Sequence, residues 1–118
     1  MLKDKALASL AAGDLLLERG FPDDAASRYD YAMYRAAVHA LTRRGFRPER
    51  VRSGAVDWDH SMVENNVAVC RRDGRDRLLY AAMRRLRGQA DYGDGAIDRW
   101  KLDERRADIR DFVRELTK

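Results

Sequence analysis

Residues Ala25–Leu41, AASRYDYAMYRAAVHAL, constrain the fold more than any other stretch of the chain. Ala26, Tyr29, Met33, Ala37 and Ala40 recur every three or four residues, which places them on one face of a helix. A second stripe, Tyr31, Tyr34, Val38 and Leu41, runs beside the first, and only Asp24, Arg28, Arg35, His39 and Thr42 mark a polar side. So wide an apolar arc belongs to a helix packed between neighbours. Its alanines let those neighbours approach closely. The stretch predicts an all-helical domain with this helix at its centre.

The 118 residues suffice for one real core, so a single domain spanning 1–118 is expected. A first helix runs from about Leu2 to Glu18, with Ala6, Leu10, Gly13 and Leu17 on one face and Leu7, Leu10, Asp14 and Leu17 overlapping it. Gly20 is placed as the left-handed residue that ends it, and Pro22, Asp23 and Asp24 open the central helix, with two carboxylates at the positive end of its dipole. That helix should stop near Arg44–Gly45, followed by a connector over residues 45–54 that contains Pro48. A third helix begins near Trp58, capped by Asp57, with Met62, Val63, Asn66, Val67 and Cys70 inward. After a charged turn at residues 71–75 around Gly74, a fourth helix covers about Arg77 to Tyr92, with Leu79, Ala82, Met83, Leu86 and Ala90 inward. Gly93, Asp94 and Gly95 break the chain before a fifth helix from about Asp98 to Leu116, whose core face is Leu102, Ile109, Phe112, Val113 and Leu116. Period-two alternation is absent, so the expected fold is all-α, an up-and-down bundle of four to five helices. Trp58 and Trp100 stand at helix starts and read as core anchors.

The formal charge is only +4, but it is unevenly spread. Residues 43–52 carry Arg43, Arg44, Arg47, Arg50 and Arg52 against Glu49 alone. Residues 71–87 carry Arg71, Arg72, Arg75, Arg77, Arg84, Arg85 and Arg87 against Asp73 and Asp76. Such clusters suit phosphate binding, and equally suit solvated helix ends in an arginine-rich chain. Cys70 is the lone cysteine, which excludes an intrachain disulfide and reads as an apolar filler. Lys3, Asp4 and Lys5 are followed by an apolar run broken at Asp14, which is not a signal-peptide pattern. No run approaches a membrane span, so a cytoplasmic protein is expected.

Three stretches read together resemble the HEPN domains (higher eukaryotes and prokaryotes nucleotide-binding). They are residues 26–34, ASRYDYAMY, then His60, then residues 86–92, LRGQADY, followed downstream by Asp111-Phe112-Val113. The resemblance covers nearly the whole chain and is to the small stand-alone branch with an Ala-Asp-Tyr ending. It implies a helical bundle that forms homodimers, often encoded beside a minimal nucleotidyltransferase as a toxin–antitoxin or defence pair. Many members are metal-independent ribonucleases that use an arginine followed four to six residues later by a histidine. Arg87 matches that arginine. Five residues on stands Tyr92 instead of histidine, and no histidine follows His60. Asp30 stands where relatives of this branch tend to carry an aromatic residue beside Tyr31.

Two functions follow from the resemblance. One is a binding module for a nucleotidyltransferase partner, or for a nucleotide or RNA phosphate, lacking the usual Arg-x4-His site. The other is an RNA-cleaving toxin with a relocated base. Cleavage needs a group to take the 2′-hydroxyl proton, a role that suits histidine, and planar donors for the phosphorus oxygens, a role that suits arginine. The candidate catalytic residues are therefore Arg87 with His60 or Tyr92, and Tyr92 is also a candidate acceptor of a transferred nucleotide. The candidate ligand-binding residues are Arg87, Asp91, Tyr31, Asp30 and Arg84. Arg87 and Asp91 are spaced to pair on one helix face, in a polar stripe with Tyr80 and Arg84. Gly88 inside that helix permits close approach of another helix or a ligand. Asp30 lies on the face expected to be buried, and a buried carboxylate demands a cation, so an arginine of the fourth helix or of a second subunit is expected beside it, Arg87 being the candidate. Tyr31, with Arg28 and Arg35 one turn away, either binds phosphate or stacks on them. Two distant histidines and one cysteine make no zinc site, and no phosphate loop is present, so no metal and no cofactor are expected.

Overall fold

A computed structural model of the protein describes residues 1–50, 56–58, 60–71, 74–93 and 96–118, with backbone alone at residues 49–50, 56–57, 68–69, 71 and 74. Among these, helix α1 spans Leu2–Glu18, α2 Pro22–Arg43, α3 His60–Arg71, α4 Gly74–Tyr92, α5 Arg99–Asp103 and α6 Arg106–Leu116. The fold is an all-α bundle in which α2 lies at the centre, packed against α1, α3, α4 and α6. Both stripes of α2 are used. Ala26, Tyr29, Met33 and Ala37 are fully buried, as are Ala32, Ala36 and Leu41. Tyr31 is the exception in the second stripe and remains 38% exposed.

The helix ends follow the sequence. Gly20 and Gly45 adopt positive φ of 85° and 91°. After each, the chain turns back on itself: Phe21 N–H donates to the Leu16 carbonyl and Phe46 N–H to the Leu41 carbonyl, at 2.9 and 3.0 Å. These are Schellman stops, which need a residue tolerant of the left-handed region. Pro22 occupies the first turn of α2. Asp23 beside it accepts the Ile97 backbone N–H at 2.7 Å, which ties the segment before α5 to the start of α2.

Several expectations require correction. The fifth helix is two, because Glu104 and Arg105 form a turn between α5 and α6. The break keeps Leu102 in the core while letting Arg106 and Arg110 reach α1. Trp100 is no core anchor: α5 is too short to bury both it and Leu102, and the indole is 58% exposed. Trp58 is half-buried against the core, and its carbonyl accepts the Tyr34 hydroxyl at 3.0 Å. Leu7 lies on the outer face of α1, and Cys70 is half-buried. Gly74 opens α4 instead of centring a turn, and α3 starts at His60. Two-residue strands β1 (Glu49–Arg50) and β2 (Val56–Asp57) pair antiparallel in the connector. Arg52, Gly54, Arg72, Asp73, Asp94 and Gly95 lie outside the described residues, as do the side chains of Arg50, Asp57 and Arg71. Among the described residues no helix is long and apolar enough to cross a membrane.

A charged cluster clamps α1, α2 and α6. Asp14 accepts the hydroxyl of the buried Tyr29 at 2.6 Å, Arg106 Nε at 2.9 Å and Arg110 Nη2 at 3.2 Å. Arg106 also reaches Glu18 at 2.7 Å. Burial pushes the Asp14 carboxyl up, but hydrogen bonds from Tyr29, Arg110 and Arg106 outweigh it and hold the group below its ordinary value. Burial, joined by the donation to Asp14, pushes the Tyr29 hydroxyl up. His39 is lowered by burial and then by the charges of Arg43 and Lys3. Its buried Nε2 has no hydrogen-bond partner among the described residues.

Asp14 and His39 have folded-state values below their unfolded ones, so each contribution is complete above the unfolded value and lost as pH falls. The urea midpoint is expected to drop first below about pH 6.5 as His39 resists protonation, and again below about pH 4 as Asp14 is titrated. Urea melts of the parent and of His39→Gln across this range check the assignment. The variant should lose the first drop and keep the second.

Candidate functional site

Neighbouring α2 and α4 bring Asp30 and Arg87 together, as the pattern of α2 required. Asp30 is 2% exposed. Arg87 Nη1 donates to Asp30 Oδ2 at 2.9 Å, and Nη2 donates to the Tyr31 hydroxyl, also at 2.9 Å. One turn on along α4, Asp91 pairs with Arg87 Nε at 3.4 Å. The guanidinium carbon lies 4.2 Å from the centre of the Tyr31 ring, with Arg35 at 5.2 Å from the same ring. Ser27 Oγ approaches the other oxygen of Asp91 at 3.5 Å. Burial alone would lower the Arg87 value, but the Asp30 and Tyr31 hydrogen bonds outweigh it and raise the group. Arg87 is thus held on three sides in one orientation.

His60, at the first turn of α3, faces the same place. Its Nδ1 is 3.2 Å from the Tyr80 hydroxyl, and its ring centre is 4.6 Å from that of Tyr34. Tyr80 is 1% exposed, contrary to its expected position on a polar stripe. Burial, and then the charge of Asp30, push its hydroxyl up, so it stays protonated beside His60. The side chains of Asp30, His60, Arg84, Arg87, Asp91 and Tyr92 together with Gly88 line an open cleft of about 330 Å³. Tyr31 stands behind it, stacked on Arg87. Tyr92 stands on the rim, 88% exposed. Arg84 has only a long contact to Glu64, 3.9 Å.

Of the candidate site residues, Asp30, His60, Arg84, Arg87, Asp91 and Tyr92 line this cleft and Tyr31 contacts Arg87, whereas Arg43 and Arg44 of the first arginine cluster line a different one. Tyr80 and Tyr34 were missed as supports of His60. The available signal was spacing: Tyr80 precedes Arg87 by two helical turns and so shares its side of α4.

Two carboxylates, Asp30 and Asp91, stand against two guanidinium groups, Arg84 and Arg87. Arg87 Nη1 and Nη2 have each given one N–H to a protein partner, leaving one on each. The cleft is accordingly a balanced polar site with an ordered guanidinium, an imidazole and an exposed phenol. Among the described residues no three His, Cys, Asp or Glu side chains are grouped to hold a metal ion.

No protein family, no curated protein and no solved structure matches the chain significantly.

Proposed function

We propose that this chain is a HEPN-like helical module of a prokaryotic toxin–antitoxin or defence pair. It works as a homodimer, binds a minimal nucleotidyltransferase partner, and takes the phosphate of a nucleotide or RNA in the cleft between α2 and α4. The observation that carries this reading is the convergence of Arg84, Arg87, His60 and Tyr92 on one cleft. Binding is favoured over cleavage because Asp30 and Asp91 already offset the charge of Arg87. A pentavalent phosphorus needs donors whose charge is not spent on fixed carboxylates.

The second reading, metal-independent RNA cleavage with Arg87 and a relocated base, draws support from His60, which lines the same cleft as Arg87. Tyr92 is a weak base near neutrality because its ordinary value is about 10. If the chain is an enzyme, His60 is therefore the base.

The test is fluorescence-anisotropy binding of labelled RNA and a labelled nucleotide, run beside incubation of mixed RNA with the parent, His60→Ala and Arg87→Lys. The expected result is saturable binding without cleavage by any of the three. Cleavage by the parent that disappears in both variants would establish the enzyme. A parent that binds neither RNA nor nucleotide would remove the phosphate reading. Sedimentation of the free chain should show a dimer.

A further inference from the structure

The first arginine cluster of the sequence takes no part in the α2–α4 cleft. Arg43 ends α2 and Arg44 is its C-cap, and both line a separate cleft of about 300 Å³ between the ends of α2, α3 and α6. Ala40, Cys70 and Leu116 supply its apolar lining, and Glu115 and Lys118 its remaining charges. Asp30 and Arg43 stand about 20 Å apart along α2, so the two clefts are distinct. They share no residue.

The two guanidinium groups here are oriented but not neutralised. Arg43 Nη1 donates to the Lys118 carbonyl, and Arg44 Nη2 donates to the Cys70 carbonyl at 3.0 Å. A carbonyl fixes the direction of a guanidinium without cancelling its charge, and neither arginine pairs with a carboxylate among the described residues. Each has given one of its five N–H groups, so most of each fork is open to a ligand. Glu115 is spent on Lys118, at 2.7 Å. The C-terminal ends of α3 and α6 offset part of the arginine charge. What remains is still felt nearby: after burial, the charge of Arg43 is the next cause that lowers His39, one turn back on α2. Arg87 is the contrast, because Asp30 and Asp91 both pair with it. The cleft is also too large for one inorganic oxyanion, and its apolar lining suits a ligand with a carbon skeleton.

We infer that the cleft between the ends of α2, α3 and α6 binds a small organic dicarboxylate. Two guanidinium groups without carboxylate partners match two carboxylates, each of which accepts a planar pair of N–H donors. Ala40, Cys70 and Leu116 pack on the short carbon chain that joins them. Glu115 repels a third carboxylate and so selects a dianion over a more highly charged acid. The inference is independent of the phosphate reading of the α2–α4 cleft, and either can fail without the other.

Cys70 is the single cysteine of the chain, so its alkylation reports on this cleft alone. The experiment is calorimetric titration with succinate, citrate and phosphate at constant ionic strength, beside the rate at which neutral iodoacetamide modifies Cys70. The parent, Arg44→Ala, Arg85→Ala and Gly88→Ala are compared, with thermal melts of each. Succinate should bind the parent saturably and, at ten times its Kd, slow the alkylation of Cys70 roughly tenfold by mass action. Citrate and phosphate should bind more weakly. Arg44→Ala should weaken succinate at least about tenfold, the worth of a hydrogen bond to a charged group. Arg44→Lys keeps the charge and loses the planar fork, so it should show a smaller loss and serves if Arg44→Ala melts early. Arg85→Ala removes the same charge outside the cleft and should leave succinate affinity unchanged. Gly88→Ala adds a Cβ that meets no atom within 4 Å on the wall of the α2–α4 cleft, and it should do the same. A parent that does not bind succinate overturns the inference. So does protection of Cys70 that survives in both Arg44 variants, or a loss in Arg85→Ala equal to that in Arg44→Ala. Phosphate that protects Cys70 as well as succinate makes the cleft a general anion patch and overturns it too.

Discussion

Arg87→Ala is expected to destabilise the fold by roughly 3–5 kcal/mol, the range found when one member of a buried ion pair is removed. Asp30 is 2% exposed and its Oδ1 has no hydrogen-bond partner among the described residues, so the truncation takes the paired counter-charge away from a buried carboxylate. Arg87 is half-buried at 27% exposure, so the pair joins a buried carboxylate to a partly exposed guanidinium and the lower end of that range is expected. The Asp30→Leu/Arg87→Met double variant should recover most of the loss, because an apolar pair of similar volume carries no desolvation cost. Arg87→Lys should fall between, keeping the charge near Asp30 but losing the geometry that also reaches Asp91 and Tyr31. Urea melts of the four proteins decide it. A loss below about 1 kcal/mol for Arg87→Ala would place Asp30 among the solvent-relaxed surface pairs, and the clamp on Arg87 would be an incidental contact.

The size of that effect changes how activity data on Arg87 must be read. A variant that no longer folds loses every ligand, so disappearance of RNA binding in Arg87→Ala carries no information about phosphate contact. Arg85 is exposed and makes no hydrogen bond or ion pair among the described residues, so its removal should have little effect on folding. The Asp30–Arg87 pair also defines what Asp30 contributes. Asp30 fixes Arg87 in one orientation and offsets its charge.

Much of this was legible in the sequence because local rules and burial agreed. The wide apolar arc of residues 25–41 placed α2 at the centre. Gly20 and Pro22 set the α1–α2 hairpin through backbone conformation alone. The Asp30–Arg87 contact could be anticipated because a carboxylate at helical spacing from Ala26, Met33 and Ala37 has no stable state without a cation.

Other features could not be read from the sequence because they depend on distant segments. Asp14 sat within an apolar stripe whose partners, Arg106 and Arg110, lie 92 and 96 residues away. His60 reaches the cleft only because α3 packs on both α2 and α4. Tyr80 shares a stripe with Arg84, Arg87 and Asp91 in the sequence, yet its ring is buried and its hydroxyl lies 3.2 Å from His60 Nδ1. Trp100 failed for a geometric reason: a helix of five residues has one inward face, and Leu102 takes it.

Gly13→Ala and Gly88→Ala are the same substitution in the same kind of structure, and they should have opposite signs. At Gly13 a Cβ would stand 2.7 Å from two ring carbons of Tyr29 and 3.2 Å from a third. That ring has no room to yield. It is fully buried, and its hydroxyl is fixed at 2.6 Å by Asp14, which Arg106 and Arg110 hold in turn. Overpacking of this kind costs about 1–3 kcal/mol, and displacing the ring adds about 1 kcal/mol for a weakened hydrogen bond. Helix propensity returns about 1 kcal/mol. The net expectation is a loss of about 2 kcal/mol, read from urea midpoints at unchanged slope. Tyr29→Leu removes the ring, and in that background Gly13→Ala should turn stabilising by about 1 kcal/mol, the value expected for Gly88→Ala in the parent. A Gly13→Ala protein that is more stable than the parent would mean that α1 can move away from α2, and that the Asp14 cluster does not fix the distance between them.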